Sequence, residues 1–276
     1  MHEIEVTLPG GLLNDARLER EVRFRPLTGR IEQSLIELES DLDRPGYVTA
    51  VLSNVLDRIG SRPADAARVA ELCVADRQYL MLRLGAMLDG EQMWLKVDCG
   101  HCDEPFDVEV RRCDLPVKEA GDGFPLLTLR VKEWSLLLRV PTGSDQERAA
   151  GLPEERAERE LLVSCIQTVN GERPGDGFVE KLTASDIEAI DDALDEASPA
   201  ICSQLLVNCP ECGQEQHAEL DHYAPTGMSA RFLYADVHTL ASYYHWSESS
   251  ILDLPQARRR LYLDMISRSA GVAAHR

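Results

Sequence analysis

Two short segments of the chain carry cysteine pairs at a spacing that suits either redox chemistry or metal binding. KVDCGHCDEPF (96–106) contains Cys99 and Cys102, and NCPECGQ (208–214) contains Cys209 and Cys212. A Cys-x-x-Cys pair at a helix N-terminus is typical of thiol–disulfide oxidoreductases, because the helix end lowers the pKa of the first thiol. Two such pairs presented by β-turns are typical of a zinc ion with four sulfur ligands.

The residues around the first pair favour zinc over redox catalysis. Asp98 directly precedes Cys99, and its negative charge opposes formation of the thiolate. Cys102 is followed by Asp-Glu-Pro and an alternating strand pattern, where a redox centre would have an amphipathic helix. The second pair also lies between strand-like segments. We therefore interpret the two pairs as halves of one zinc ribbon, although 106 residues separate them.

The predicted cofactor is one structural Zn2+ per chain. Its four predicted ligands are Cys99, Cys102, Cys209 and Cys212. A site with four protein ligands has no open position for a substrate or a catalytic water, so its role would be to clamp two hairpins together. Three histidines lie close enough in sequence to substitute as ligands, but we expect them on turn and strand surfaces: His101, His217 and His222.

Composition and motifs exclude several classes of function. The net charge of −19 opposes binding to nucleic acid, and no apolar run is long enough to insert into a membrane. The first residues lack a signal-peptide pattern, which predicts a cytoplasmic location on synthesis. Because no phosphate-binding loop, nucleophile elbow or paired-histidine motif occurs, we expect neither an enzyme nor a small-molecule substrate. The other four cysteines are predicted to be buried, unreactive thiols: Cys73, Cys113, Cys165 and Cys202.

The elements that must position the cysteine turns form an α+β protein in three predicted regions. Residues 1–90 form a hairpin followed by helices, and residues 91–222 form a small zinc-ribbon-like antiparallel β-module with a helical insertion at about 144–200. Residues 223–276 are helical. The pattern of apolar residues decides these assignments, because it alternates around the cysteines and has helical spacing elsewhere.

More detailed expectations follow from local signals. PGG (9–11) predicts a turn after the first strand, and GYVTAVLSNVLDRIG (46–60) predicts one helix that stops at Gly60. A helix is expected from about 144 to 169 with a break near Pro153, and LLTLRVKEWSLLLRV (126–140) predicts two strands. The next helix, TASDIEAIDDALDEAS (183–198), has Ser185 and Glu188 in capping-box spacing. Its many carboxylates are interpreted as a solvated face, with an acidic docking surface as the alternative.

Three passages together resemble proteins of phage tails. VTLPGGLLNDARLEREVRFRPLTGR (6–30) is similar to the start of phage tail and baseplate proteins, and the paired cysteine turns occur in that setting too. The most specific passage is HWSESSILDLPQARRRLYL (245–263), which is similar to the ending of the baseplate protein family of T-even-type phages and of phage-like contractile injection systems. The matching residues are His245, Trp246, Ser247, Ile251, Leu254, Pro255, Arg258, Arg259, Arg260, Tyr262 and Leu263.

This resemblance implies a non-enzymatic structural or assembly component of a baseplate hub, whose partners are other baseplate, hub or spike subunits. Incorporation into a phage-like particle would follow synthesis. Aromatic and arginine residues are favoured in protein interfaces, and the tail carries a predicted docking surface of this kind. Its members are Tyr243, Tyr244, Trp246, Arg258, Arg259 and Arg260. The alternative for these residues is an ordinary helix-turn-helix core with solvated arginines. The alternative functions are a zinc-ribbon adaptor for nucleic acid or a transcription complex and, less favoured, a thiol oxidoreductase.

Overall fold

The computed structural model describes residues 4–38, 42–175, 177–224 and 230–273, with side chains to 269; parts of all three predicted regions lie outside these ranges. The helices are α1 Gly29–Glu37, α2 Arg44–Val55, α3 Ala66–Ala70, α4 Val74–Asp89, α5 Gly143–Ala149, α6 Glu154–Cys165, α7 Ala184–Ala197, α8 Ala230–Tyr244, α9 Glu248–Leu252 and α10 Gln256–Ala273. The strands are β1 Ile4–Asn14, β2 Arg17–Phe24, β3 Leu56–Ile59, β4 Arg62–Pro63, β5 Gln92–Asp98, β6 Pro105–Arg111, β7 Val117–Lys118, β8 Leu126–Val131, β9 Trp134–Arg139, β10 Ile166–Val169, β11 Ala200–Ile201, β12 Gln204–Asn208 and β13 Glu215–Glu219. The fold is therefore a mixture of helices and small antiparallel sheets, which confirms this part of the α+β prediction.

The first sheet, in the order β1-β2-β3-β4, packs against α1 to α4. The predicted turn at PGG is wrong, because β1 continues through it and the chain reverses at 15–16. The register of β1 shifts between Thr7 and Leu12, and the freed N–H groups of Gly10 and Gly11 donate to the buried Asp76 carboxylate at 2.8 and 2.7 Å. Pro-Gly-Gly thus forms a β-bulge whose N–H groups bind the carboxylate of Asp76 on α4.

The predicted helix over 46–60 is wrong in its last turn. Helix α2 ends at Val55, and Leu56 begins β3, which pairs with β2 in the first sheet. Leu56 and Ile59 are fully buried at strand positions opposite Phe24 and Val22. Apolar residues three apart fit one face of a helix and also the two ends of a four-residue strand, and here sheet pairing prevails.

The chain between the two cysteine hairpins is not a purely helical insertion. Its sheet, in the order β8-β9-β10, contains the two strands predicted at 126–140 and packs against α6 and α7. The predicted helix over 144–169 is broken as expected before Glu154, but its last four residues form β10 beside β9. The capping box of α7 uses Thr183 and Asp186, so the prediction of Ser185 and Glu188 is wrong by two residues.

The cysteine hairpins, β5-β6 and β12-β13, pack against α4 and form a third core with it. Buried side chains of both hairpins and of α4 meet there, including Leu82, Val110 and Leu220. A short β7-β11 pair joins the chain segments that leave the first hairpin and enter the second. The third core and the β7-β11 pair therefore hold the two hairpins side by side. The three region boundaries and the zinc-ribbon assignment stay predictions.

Helices α8, α9 and α10 form a fourth core that also contacts α1. Ser247 caps the short helix α9, accepting from the N–H of Ser250 at 3.3 Å. Thr28 and Pro255 form an antiparallel bridge, which brings the PLTG passage against the tail. Among the described helices, none is both long and apolar enough to cross a bilayer.

Candidate metal centre

The two cysteine pairs lie in turns with the same backbone hydrogen bonds. In the first turn the N–H of Cys99 donates to Glu104 O at 3.1 Å, and the N–H of Asp103 donates to Cys99 O at 2.9 Å. The second turn repeats this pattern from Cys209 to Gln214 O and from Gly213 to Cys209 O, both at 2.9 Å. The residue after the second cysteine has positive φ in both turns, 60° and 72°. Each turn therefore points its two sulfurs to the same side of its hairpin.

The four sulfurs of the two turns meet at one point. Cys99 Sγ lies 3.7 Å from Cys212 Sγ, and Cys102 Sγ lies 3.8 Å from Cys209 Sγ. All four lie within 4.8 Å of one another. A tetrahedron with zinc–sulfur bonds of about 2.3 Å requires sulfurs about 3.8 Å apart, whereas a disulfide requires about 2.05 Å. The spacing fits four thiolates around one zinc ion. Each of the two short sulfur–sulfur distances joins a cysteine of one hairpin to a cysteine of the other.

A glutamine fixes the two hairpins relative to each other beside the sulfurs. The side chain of Gln216, on β13, accepts from the N–H of Gly100 at 3.0 Å and donates to Asp98 O at 3.4 Å. Both partners belong to the first cysteine segment, so Gln216 crosses between the hairpins. Such contacts orient the ligands of metal sites. Sequence analysis missed this residue, because only the hairpin register reveals it.

The electrostatics of the sulfurs suit a cation. The N–H of His101 donates to Cys99 Sγ at 3.4 Å and lowers the pKa of that thiol to about 6. The N–H of Glu104 also lowers the pKa of Cys102, but burial and the neighbouring cysteines outweigh it and raise this pKa to about 12. One sulfur therefore ionises readily while its neighbour resists, since adjacent negative charges repel. A divalent ion between them removes that repulsion.

Burial and donor type complete the fit to zinc. Cys99 and Cys209 are buried, whereas Cys102 is partly exposed and Cys212 is exposed. Among the residues that the structure describes, this group of potential metal ligands contains cysteines alone. Thiolate sulfur is the donor that structural zinc sites use most, and four of them saturate the ion. His222 instead contacts Cys202 O through Nε2 at 2.8 Å, and burial lowers its pKa.

The four remaining cysteines divide into two kinds. Cys73 and Cys165 are buried as predicted, and burial raises the pKa of both thiols, to about 12 for Cys165. The prediction is wrong for Cys113, which is exposed in the short 3-10 helix over 112–114, and for Cys202, which is partly exposed beside β12. Cys113 lies two residues after the end of β6, and Cys202 directly follows β11 and packs against the third core.

The aromatic residues of the predicted docking surface lie together. Tyr244 stacks on Trp246 with ring centroids 4.8 Å apart, and Tyr262 meets Trp246 edge-on at 5.0 Å. Tyr243 contacts the Tyr244 ring at 5.1 Å and is 51% exposed. Trp246 and Tyr262 pack against the fourth core. A docking role for Tyr243, Tyr244 and Trp246 stays a prediction, in which Tyr243 is the most accessible ring.

The three consecutive arginines of the tail have different surroundings. Arg258 and Arg260 are exposed, and Arg260 donates to Leu88 O at 3.3 Å. Arg259 is 1% exposed and donates two hydrogen bonds to the Glu32 carboxylate, at 2.7 and 2.6 Å. Its predicted place on a docking surface is therefore wrong, because its side chain points inward between α10 and α1. Sequence reasoning could not find Glu32, which is 227 residues away.

Comparison with known protein families finds a match over most of the chain. A family model described as T4 bacteriophage base plate protein matches residues 1–224. No curated protein and no solved structure matches the chain. The matched range contains both cysteine hairpins, the sheets and α1 to α7, and it ends before α8.

Proposed function

The chain belongs to the T4 bacteriophage base plate protein family, and from that premise we propose that it is a structural or assembly subunit of the baseplate hub of a contractile phage tail or phage-like injection system. Its partners are other baseplate, hub or spike subunits, and the particle is its destination. The family match over residues 1–224 carries this proposal.

The second part of the proposal is that one Zn2+, bound by the four cysteines of the two hairpins, stabilises this subunit. The hairpins are β5-β6 and β12-β13, and the chain between them folds around its own sheet and core. Sulfur spacings of 3.7 and 3.8 Å across the hairpins support this part. When bound, the ion would link two segments that are otherwise joined by the third core and the Gln216 hydrogen bonds.

A non-enzymatic role agrees with the donor set of this site. Four thiolates fill the tetrahedral shell of zinc, so that no position remains where water or substrate could be activated. The two hairpins instead set the relative positions of surfaces that neighbouring subunits could contact. The nucleic-acid adaptor that the sequence left open has no support in the family match, and the net charge of −19 opposes it.

Deletion of this chain from an otherwise intact phage or injection system tests the proposal. We expect electron microscopy to show tails without complete baseplates, and expression of the wild-type chain in trans to restore them. Mass spectrometry of purified wild-type particles then distinguishes a resident subunit, which is present, from an assembly factor, which is absent. Complete, functional baseplates in the deletion strain would refute the proposal.

A further inference from the structure

A groove of about 770 Å³ runs between α6 and α7, on a part of the molecule that neither the metal centre nor the aromatic cluster uses. Its floor is apolar and includes Leu162, Cys165, Ile187 and Leu194. Cys165 and Leu194 belong to the second core, and Leu162 and Ile187 are partly buried and pack against it. The groove is thus an apolar trough between two helices, the shape that receives an amphipathic helix.

The rim of this groove is strongly acidic. Glu155 and Glu158 of α6 face Asp191 and Asp195 of α7 across it, and all four are exposed. Arg159 is the single basic residue in the lining, and it forms an ion pair with Glu180, another lining residue. Among the described residues, none of the ion pairs found involves the four rim carboxylates. The four rim carboxylates therefore outnumber the cations beside them, which are Arg159 and Lys118, whose Nζ donates to the backbone oxygen of Asp195 at 2.6 Å.

The environment of one rim residue shows the consequence of this crowding. Partial burial raises the pKa of Asp191, and the negative charges of Asp195, Asp192 and Glu158 raise it further. A cation placed at the rim would relieve this repulsion. The sequence analysis interpreted the carboxylates of α7 as one solvated face, but they have two different positions. Asp191 and Asp195 line the groove, whereas Glu188 and Asp192 are exposed outside its lining.

We propose that the α6–α7 groove is the docking site for a basic amphipathic helix of another protein, whose apolar face covers Leu162, Ile187 and Leu194 and whose lysines or arginines pair with the acidic rim. Charge complementarity commits the site to a partner of this chemistry. A second copy of this chain is a poor occupant, since each copy carries a net charge of −19. The inference rests on the proposed function only in expecting this helix on a neighbouring baseplate protein.

Peptide binding to the purified full chain tests the groove directly. The probe is a fluorescein-labelled helical peptide with leucines on one face and lysines on the other, and its partner peptide has glutamate at every lysine position. Fluorescence anisotropy should show binding of the lysine peptide, weakening with salt, and no binding of the glutamate peptide. The variant Asp191→Asn/Asp195→Asn should bind the lysine peptide about tenfold more weakly.

The matched control changes the same helix by the same charge. Glu188→Gln/Asp192→Asn lies outside the groove lining, and we expect its affinity for the lysine peptide to stay within about twofold of wild type. Equal losses in the two variants would overturn the proposal, because attraction would then come from net charge alone. Absence of lysine-peptide binding would also overturn it. Self-association of the wild-type chain that Asp191→Asn/Asp195→Asn abolishes would replace the partner helix with a second copy.

These outcomes are separate from the test of the baseplate role. Peptide affinity is measured on the isolated chain and does not depend on particle assembly. If the groove fails to bind while the deletion strain lacks baseplates, the proposed function stands and the docking site is refuted. If the groove binds and the deletion strain is normal, the site stands and its partner lies outside a baseplate.

Discussion

Replacement of Arg259 by methionine should destabilise the contact between the tail and α1. The arginine is 1% exposed, and its guanidinium spans the Glu32 carboxylate with bonds of 2.7 and 2.6 Å while Nη1 donates to Leu254 O at 3.1 Å. Arg259→Met keeps most of the side-chain volume but leaves Glu32, itself 6% exposed, as a buried charge without its partner.

The expected loss is about 3–5 kcal/mol of unfolding free energy, the usual cost of removing one member of a buried ion pair. Two charge-assisted hydrogen bonds at about 1.5–3 kcal/mol each give about 3–6 kcal/mol, which overlaps this range. The double variant Glu32→Met/Arg259→Met removes the stranded charge, so we expect it to recover at least half of the loss. This recovery separates a buried pair from a simple loss of packing.

Urea unfolding followed by tryptophan fluorescence measures the effect locally. The three tryptophans are Trp94, Trp134 and Trp246, so a Trp94→Phe/Trp134→Phe background leaves Trp246, in the aromatic cluster beside the fourth core, as the reporter. The matched control is Arg258→Met, which changes the exposed neighbour and should shift stability by less than about 0.5 kcal/mol. Equal effects of Arg258→Met and Arg259→Met on stability would refute the reasoning, because Arg259 would then behave as an exposed residue.

Two further predictions concern stability elsewhere in the chain. Gly143→Ala should lower the free energy of unfolding by about 3 kcal/mol, because the added Cβ would lie 1.9 Å from the buried Arg77 guanidinium. Thermal or urea unfolding measures this loss. In the same assay the control Gly175→Ala should be neutral, because there is open space at that position. A hydrogen bond from Lys132, with others from the helix cap, lowers the pKa of Asp186 to about 2. Its contribution to stability is therefore complete above the ordinary Asp pKa of about 3.9 and disappears as the pH falls towards 2. The difference in urea midpoint between wild type and Asp186→Asn should shrink over that pH range, and a difference that stays constant from pH 6 to pH 2 would contradict the assignment.

The parts of the fold that sequence analysis predicted correctly depend on neighbours in the chain. The strands that flank the first cysteine pair alternate in polarity, and in both hairpins a turn of a few residues joins the strands, so the hairpins could be predicted from sequence. The helices expected after the hairpin in residues 1–90 are also present, among them α2, α3 and α4. Local patterns decide these elements because their hydrogen bonds close within a few residues.

The parts that were missed depend on partners far away in the chain. β3 and β10 are four residues long, and each is defined by the strand that it joins rather than by its own apolar pattern. PGG resembles a turn signal, but Asp76 on a helix more than 60 residues later makes it a bulge. Arg259 has the residue type of a docking surface, and only the position of Glu32 shows that it is buried. Charge and residue type alone do not determine which side of a helix faces the core.

Metal content of the purified chain, measured beside its sulfur coordination, tests the central claim that two distant hairpins share one zinc ion. We expect about one Zn2+ per chain, with X-ray absorption showing four sulfur neighbours at about 2.3 Å. In Cys209→Ser the claim predicts loss of the ion or a marked fall in its affinity, although Cys99 and Cys102 remain intact. Full stoichiometry in Cys209→Ser with unchanged affinity and coordination would show that the pairs act separately, and would contradict the proposed clamp.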